Sequence, residues 1–454
     1  MKQRVKHLIN KSVIIAALWL FPCCQSVKER VSSEPETIQV DEIWSGCAAN
    51  YNLLTVSPYQ FVAYYDSARY MTIAQRKLPE KTWVKKRLDT QVGWDAHNYI
   101  TMVLDKEGYL HVSGNMHVVP LVYYQSTKPY DVSSLERKES LIGNEEDAVT
   151  YPHFFNAPNG DLIFTYRTGS SGKGNQIYDR YNAESKTWSR LLDTPLIDGE
   201  GKSNAYLFGP ELGPDNYFHL IWVWRMNPDA NANCNLSYAR SKDLIHWEKS
   251  DGSPQELPIK LENCEIIDPI PVQHGLLNGN TKIGFDGQNR VIVSYHKYDE
   301  KGNIQIYNAR KEGNDWKIYQ ATDWNWRWNF GGWGSIIARV GLSEVKVEGD
   351  RLTQTYDIDS VGTRKFSLDE TTLKAVVQLE MGKPFPDSLN VLKWKNDLGT
   401  VHTSTNIDDE YGTYVLRWET LKRNGDKGYD FVPKPQPLML YHYPFTKKEG
   451  YEKN

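Results

Sequence analysis

Residues 217–225 read YFHLIWVWR. Aromatic and β-branched residues in a run of this length read as a buried strand, and the run has counterparts along the chain. FVAYYD from Phe61, YLHVSGN from Tyr109, DLIFTYR from Asp161, VIVSYHK from Val291, LTQTYDID from Leu352 and YVLRWET from Tyr414 share its character, which makes seven segments about fifty to seventy-five residues apart. Most follow an Asn, Asp or Gly turn (DKEG, APNG, GPDN, DGQN, VEGD), and several lead into a second strand and a turn ending in Trp, as in NQIYDRYNAESKTW, CNLSYARSKDLIHW and IQIYNARKEGNDW. Strand-rich units returning at such a period predict an all-β fold, a seven-bladed β-propeller at roughly 58 residues per blade. Consecutive β-sandwich domains would also alternate strands and turns, but no boundary linker interrupts the series.

Composition agrees. The 454 residues include 28 Tyr, 15 Trp and 13 Phe, with 32 Gly and 22 Pro spread among them, and no long Ala/Leu/Glu-rich stretch suggests helices. A formal net charge of −4, without a long run of one sign, gives no footprint for nucleic acid. A polyanionic partner has to be gripped locally.

Lys2, Arg4, Lys6 and Lys11 precede the apolar run SVIIAALWLF, which is followed by Pro22-Cys23-Cys24. A basic start and an apolar stretch too short to span a bilayer read as an export signal. Cysteine directly after that stretch suggests a lipid anchor, whereas Phe21-Pro22 before it matches lipoprotein processing sites poorly. The expected order is a signal at 1–24, a polar linker at 25–40 and the propeller at 41–454. Cys47, Cys234 and Cys264 form no CxxC pair, so disulfides are not expected to hold the fold. A Cys234–Cys264 bridge and a metal site with His274 both stay open.

In a propeller, groups at similar strand ends of successive blades point to one face. His97 and His117 flank the Tyr109 segment, Tyr151 precedes the Asp161 segment and Arg167 ends it, while Arg225 and His296 end two later ones; all are read as lying in or beside innermost strands. Two His, a Tyr and two Arg suit removal of a carbon-bound proton beside a carboxylate. Arginine can clamp the carboxylate in bidentate fashion and stabilise the enolate-like charge that develops, while His and Tyr exchange protons. Glycoside hydrolysis asks instead for paired carboxylates, and Asp95, Asp161, Asp268 and Asp357 form no obvious pair. A sialidase would carry SxDxGxxW turns; the nearest stretch, Ser241 to Trp247, lacks the glycine.

The run DAHNY with His97, GNMH with His117 twenty residues on, and Tyr151 sixteen residues before the Arg167 of FTYR together resemble the active-site pattern of propeller polysaccharide lyases with BNR-type repeats. These are the ulvan lyase families 24 and 25 and the rhamnose–glucuronate lyases of polysaccharide lyase family 27. The resemblance implies β-elimination at an α-L-rhamnosyl-(1→4)-D-glucuronate linkage, leaving a 4,5-unsaturated uronate. It implies His97 as acid/base with Tyr151 as its partner, Arg167 and Arg225 neutralising the carboxylate, and His117 orienting the set; which of His97 and Tyr151 takes the proton stays open. Asn98, Tyr295, His296 and Trp333 are further candidate substrate contacts.

A slightly acidic chain, and the segment TDWNWRWNFGGWG (322–334) as a wall that stacks on a terminal sugar, favour an exo-acting enzyme of the family 27 type. It would release rhamnose from arabinogalactan side chains. An endo-acting enzyme on sulfated ulvan is the alternative; a sialidase-like hydrolase or a non-catalytic carbohydrate-binding propeller is a further one, and for the Trp-rich segment so is plain blade packing. No organic cofactor is required, and the resemblance allows a structural calcium. Such an exported enzyme would work in the periplasm or at the outer membrane or cell surface.

Overall fold

The repeated aromatic segments are largely buried. In Tyr59–Tyr65 every residue after the first is buried, and Phe218–Arg225 and Gly412–Leu421 are buried throughout. Such strands are rich in apolar and aromatic residues because neighbouring sheets cover both faces, and the polar groups they do bury, such as Arg417 and Glu419, are paired. Strands at the other end of the sheets, such as Val84–Gln91 and Asp315–Gln320, alternate lysines and other exposed residues with half-buried ones.

The structure, a computed structural model, describes residues 34–157, 159–382 and 385–445. The expected export signal, with the two cysteines considered for lipidation, lies outside the described residues. Within them are seven antiparallel sheets, which follow one another along the chain as the blades of a propeller. The first runs Asn52–Val56, Tyr59–Tyr65, Tyr70–Lys77, Val84–Gln91, in spatial order, and the other six repeat this up-and-down scheme. The first strands of neighbouring blades touch: Asn52–Val56 packs against Ile100–Leu104 and Gly399–Asp408, and Asn204–Leu212 against Lys282–Phe285. The repeated aromatic segments are therefore second strands, not innermost ones. Of the predicted groups, Tyr151 lies on the first strand of the third blade's own succession, Val149–Asn156, and His117 on a short strand, His117–Val119, along its inner edge.

The turns form as their residues dictate. Asp105, Asp215 and Asp286, and likewise Asn159, accept hydrogen bonds from backbone N–H groups two residues on (Glu107, Tyr217, Gln288 and Asp161), the Asx geometry that initiates a tight reversal. The glycine-less Ser241–Trp247 stretch still closes: Leu244 takes a left-handed φ of 67°, and Ser241 and Asp243 accept the backbone N–H groups of Leu244 and His246.

Two findings correct the sequence reading. The linker expected through residue 40 gives way to a strand, Glu36–Ile43, which pairs with Gln436–Tyr443 and completes the seventh blade from the opposite end of the chain. Its Ile38, Val40 and Ile43 are buried. Cys47, Cys234 and Cys264 are free thiols, so no Cys234–Cys264 bridge forms, and His274 bonds through Nδ1 to the Val272 carbonyl.

Candidate active site

Apart from the seventh blade, closed by Glu36–Ile43, every blade but the third consists of strands in local succession. The third also receives a foreign strand, His117–Val119, which leaves the second blade and pairs with the inner edge of Val149–Asn156, Thr150 lying opposite His117. Just beyond this pair the register slips between Thr150 and His153, a bulge, and Tyr151 adopts a left-handed φ of 59°. A bulge re-aims the side chain it carries, and the unfavourable backbone of a non-glycine residue there is strain of the kind that collects at functional sites. Here it brings the Tyr151 ring to within 6.0 Å of the His97 ring.

His97 lies on the loop between the first two blades, with its ring centre 4.2 Å from that of His117. Asp95 holds both: His97 Nδ1 and the His97 backbone N–H bond to Oδ1 at 2.7 and 2.8 Å, and His117 Nδ1 lies 2.5 Å from Oδ2. Asp426, from a loop of the seventh blade, approaches His97 Nδ1 at 3.2 Å. Burial disfavours charge on His97, but the two carboxylates outweigh it and raise its pKa to about 9, so the ring is a cation at neutral pH. Burial likewise opposes the charge on Asp95, yet hydrogen bonds from His117 and His97 hold it well below the usual carboxylate range.

Next to this unit, two tyrosines face each other, the rings of Tyr151 and Tyr206 5.9 Å apart. Around the Tyr206 hydroxyl are Ser171 Oγ at 2.9 Å, Arg225 Nη1 at 3.3 Å and Arg167 Nη1 at 3.5 Å. Burial alone would raise its pKa, but Arg225 and then Arg167 overcome it and hold the phenol below its ordinary value. Tyr151 goes the other way, since burial pushes it up more than the same arginines bring it down. Two like groups whose surroundings drive their proton affinities apart make a base and an acid.

These groups meet at one cavity of about 620 Å³, lined among others by His97, His117, Tyr151, Tyr206, Arg225 and Trp333. A second cavity of about 350 Å³ shares Tyr151, Tyr206 and Asn278, so the tyrosine pair stands between the two.

Not every expected residue arrives there. Arg167, 2% exposed, is absent from the wall: its guanidinium lies 5.1 Å from the Tyr151 ring centre and 5.8 Å from that of Tyr206, with Nη2 donating to Thr150 Oγ1. It works through the tyrosines and is not placed to clamp a carboxylate. Arg225 reaches the cavity, with Nε and Nη2 donating to Asn233 and Asn278. His296 is buried against Trp328 and Phe330 with Nδ1 on the Gly275 carbonyl, and its pKa falls to about 4 through burial. Tyr295 donates to Asp268, and Asn98 offers its backbone carbonyl to Tyr65; neither is on the wall. Of the Trp-rich segment, Trp324, Trp326 and Trp328 pack in the core, while Trp333 stands at the cavity mouth, 76% exposed.

Tyr206 escapes the sequence reading, as do the roles of Asp95 and Asp426. Tyr206 has a readable signal: Tyr151 precedes Arg167 by sixteen residues and Tyr206 precedes Arg225 by nineteen, one first-strand tyrosine and one second-strand arginine in each of two successive blades. Asp426 has none, because only closure of the ring brings it to His97.

Among the described residues, Asp95, His97 and His117 are the one His/Cys/Asp/Glu group with a spacing compatible with a metal. Their separations are hydrogen-bond contacts that spend the carboxylate on the two rings, and one carboxylate with two imidazoles is not the oxygen set that calcium takes.

A family profile described as "BNR repeat-containing family member" matches residues 59–324. Among curated proteins, the chain is 29% identical over 146 residues to the short isoform of an ulvan lyase of Alteromonas sp. (strain LOR), covering 29% of this chain and 28% of that one. It is 22% identical over 269 residues to "Ulvan Lyase-PL25" of Pseudoalteromonas sp. (strain PLSV), covering 51% and 53%. The chain thus spans about a quarter to a half of the length of these relatives. Among solved structures, the polysaccharide lyase Uly1 superposes with a TM-score of 0.59 at 14% identity over 90% of this chain and all of that one. A PL25 ulvan lyase bound to -[GlcA(1-4)Rha3S]- gives a TM-score of 0.55 at 14% identity, over 91% and 96%.

Proposed function

The chain belongs to the BNR repeat-containing family, and we propose that it is a polysaccharide lyase of the ulvan-lyase type, cleaving the bond to O4 of a glucuronate in a rhamnose–glucuronate polymer by β-elimination. One observation carries the reading: two tyrosines with opposed proton affinities face each other beside an imidazolium in a single cavity. Tyr206, its phenolate favoured by Arg225 and Arg167, takes the proton from C5. The electrons of that C–H bond become the C4=C5 double bond, and the C4–O4 bond breaks. Tyr151, which keeps its proton, gives it to the departing O4. The positive charge on His97, with Arg225 on the same wall, stabilises the charge that builds on the C6 carboxylate as C5 loses its proton. Arg167 lowers the cost of the Tyr206 phenolate from behind.

The substrate class is supported by the likeness to ulvan lyases, which favours the sulfated algal polymer over the arabinogalactan side chains that the acidic net charge suggested. An exported enzyme, as the first 24 residues suggest, would meet such a polymer outside the cytoplasm.

The test is ultraviolet absorbance with product chromatography, on purified protein given ulvan and gum arabic separately. Unsaturated oligosaccharides from ulvan are expected. Free rhamnose from gum arabic alone would make it the exo-acting arabinogalactan enzyme, and no unsaturated product from either would overturn the lyase reading.

A further inference from the structure

Asp426 does more than face His97. Its Oδ2 also accepts the backbone N–H of Ser335 at 3.0 Å, and its Oδ1 accepts Ser335 Oγ at 2.5 Å. Ser335 belongs to the 331–338 segment, which has no strand or helix of its own and lies at the cavity mouth with Trp333 and Ile337 largely exposed. The segment is pinned at two places. Gly332 exchanges hydrogen bonds with the fourth blade, donating to Asp229 Oδ1 at 3.0 Å and accepting from Ala230 N–H at 2.9 Å. Gly334, with a left-handed φ of 81°, comes so close to the seventh blade that a Cβ there would lie 2.8 Å from the Gly425 carbonyl oxygen. A strap carrying an exposed tryptophan therefore crosses the mouth, and its second anchor is the carboxylate that touches the reactive imidazole.

We propose that Asp426 is a positioning residue which joins the Trp333 strap to His97, so that seating of the strap holds the carboxylate against the imidazole and keeps that ring charged and oriented. The Ser335 hydroxyl and amide fix the rotation of the Asp426 carboxylate, and with it the Oδ2 contact to Nδ1. A sugar stacked on Trp333 would favour the seated strap, and the sugar bound beneath it would then meet His97 as a cation. The consequence for catalysis rests on the lyase reading; the coupling itself does not.

The groups facing His97 are Asp95 on its own loop, His117 on the foreign strand, Tyr151 on the third blade and Asp426 on the seventh. Arg423 of the seventh blade lines the same cavity, and the Cys47 thiol donates to the Asp95 carbonyl. Of these, Asp426 is bonded to the strap.

The experiment is an NMR titration of the histidine rings in the substrate-free, full-length protein, with His97→Gln to assign the resonance. Loss of an opposite charge at this distance shifts a pKa by about one unit or more, so Asp426→Asn should lower the His97 pKa by at least that much. Ser335→Ala, which leaves every charge in place, should lower it by roughly half as much, because the carboxylate loses its restraint. The high-pH limb of the kcat/KM profile should follow in each variant. Should Asp426→Asn move the His97 pKa while Ser335→Ala does not, the strap is uncoupled and the proposal falls; should neither move it, Asp426 does not position His97. Thermal melts of both variants separate these outcomes from misfolding. Since the titration needs no substrate, a protein inactive on every polymer could still show the coupling, and an active one without shifts would sink the coupling alone.

Discussion

Proton affinities at this site are set by what each side chain touches, and Tyr206 shows how far that departs from composition. A buried phenol facing another tyrosine would ordinarily resist ionisation; two guanidinium groups and Ser171 Oγ at its oxygen reverse this. Tyr206→Phe keeps the ring and its packing but removes the base, and should cost roughly 10²–10⁴-fold in kcat with little change in KM. The pH profile should be bell-shaped. Activity rises with pH as Tyr206 loses its proton, at a value below an ordinary phenol, and falls as His97 loses its own at about 9. In Tyr206→Phe the rising limb should disappear and the falling limb stay. Unchanged turnover in that variant, measured by the rate of unsaturated-uronate formation, would give the base role to another group. At this scale the sequence was partly legible. His97, His117, Tyr151 and Arg225 stand out by type and spacing and do reach the cavity, whereas Asn98 is absent from its wall and Tyr295 and His296 turn to buried partners. Side-chain direction at the end of a strand depends on bulges, which one sequence does not display.

Elements were more legible than their edges. The repeated aromatic segments formed the strands that composition predicts, since a strand covered on both faces is enriched in aromatic and β-branched residues. The short strand His117–Val119 gave no such sign: three residues, partly exposed, held to the third blade by few bonds. One of them is supplied by Thr150, whose buried Oγ1 accepts the Val118 N–H at 2.9 Å and Arg167 Nη2 at 3.1 Å. Thr150→Val keeps the shape and removes the acceptor, taking a partner from the Val118 N–H and leaving part of a buried guanidinium unpaired; Arg167 Nε already has no partner. The expected cost is about 1–3 kcal/mol, seen as a lowered Tm. Activity should fall too, because the strand places His117 and the guanidinium tunes both tyrosines. A melt that matches the parent protein would show that the hydroxyl does not hold this strand.

At the scale of the whole molecule, a repeat is legible because it recurs, and ring closure is not, because it happens once. Glu36–Ile43 sits in a polar context that reads as linker, yet it is the outer strand of the seventh blade. The residues just after this strand continue the seam: Trp44 N–H bonds to the Tyr65 carbonyl of the first blade, Ser45 accepts the Leu421 N–H of the seventh, and Cys47 donates to the Asp95 carbonyl. The site straddles that seam, with Asp95 and His97 on one side and Asp426 on the other. Deleting residues 34–43 exposes the Gln436–Tyr443 edge and removes three buried aliphatic side chains, Ile38, Val40 and Ile43, each worth about 1.5–3 kcal/mol of burial. The truncated chain should unfold at lower temperature than the full chain. It should also lose activity at temperatures where it remains folded, because the loop bearing Asp426 is no longer held across from His97. Near-ultraviolet circular dichroism during a thermal melt, paired with the lyase assay below the transition, separates the two effects. Full activity in the folded, truncated chain would mean that the site is built within single blades and owes nothing to the closing strand.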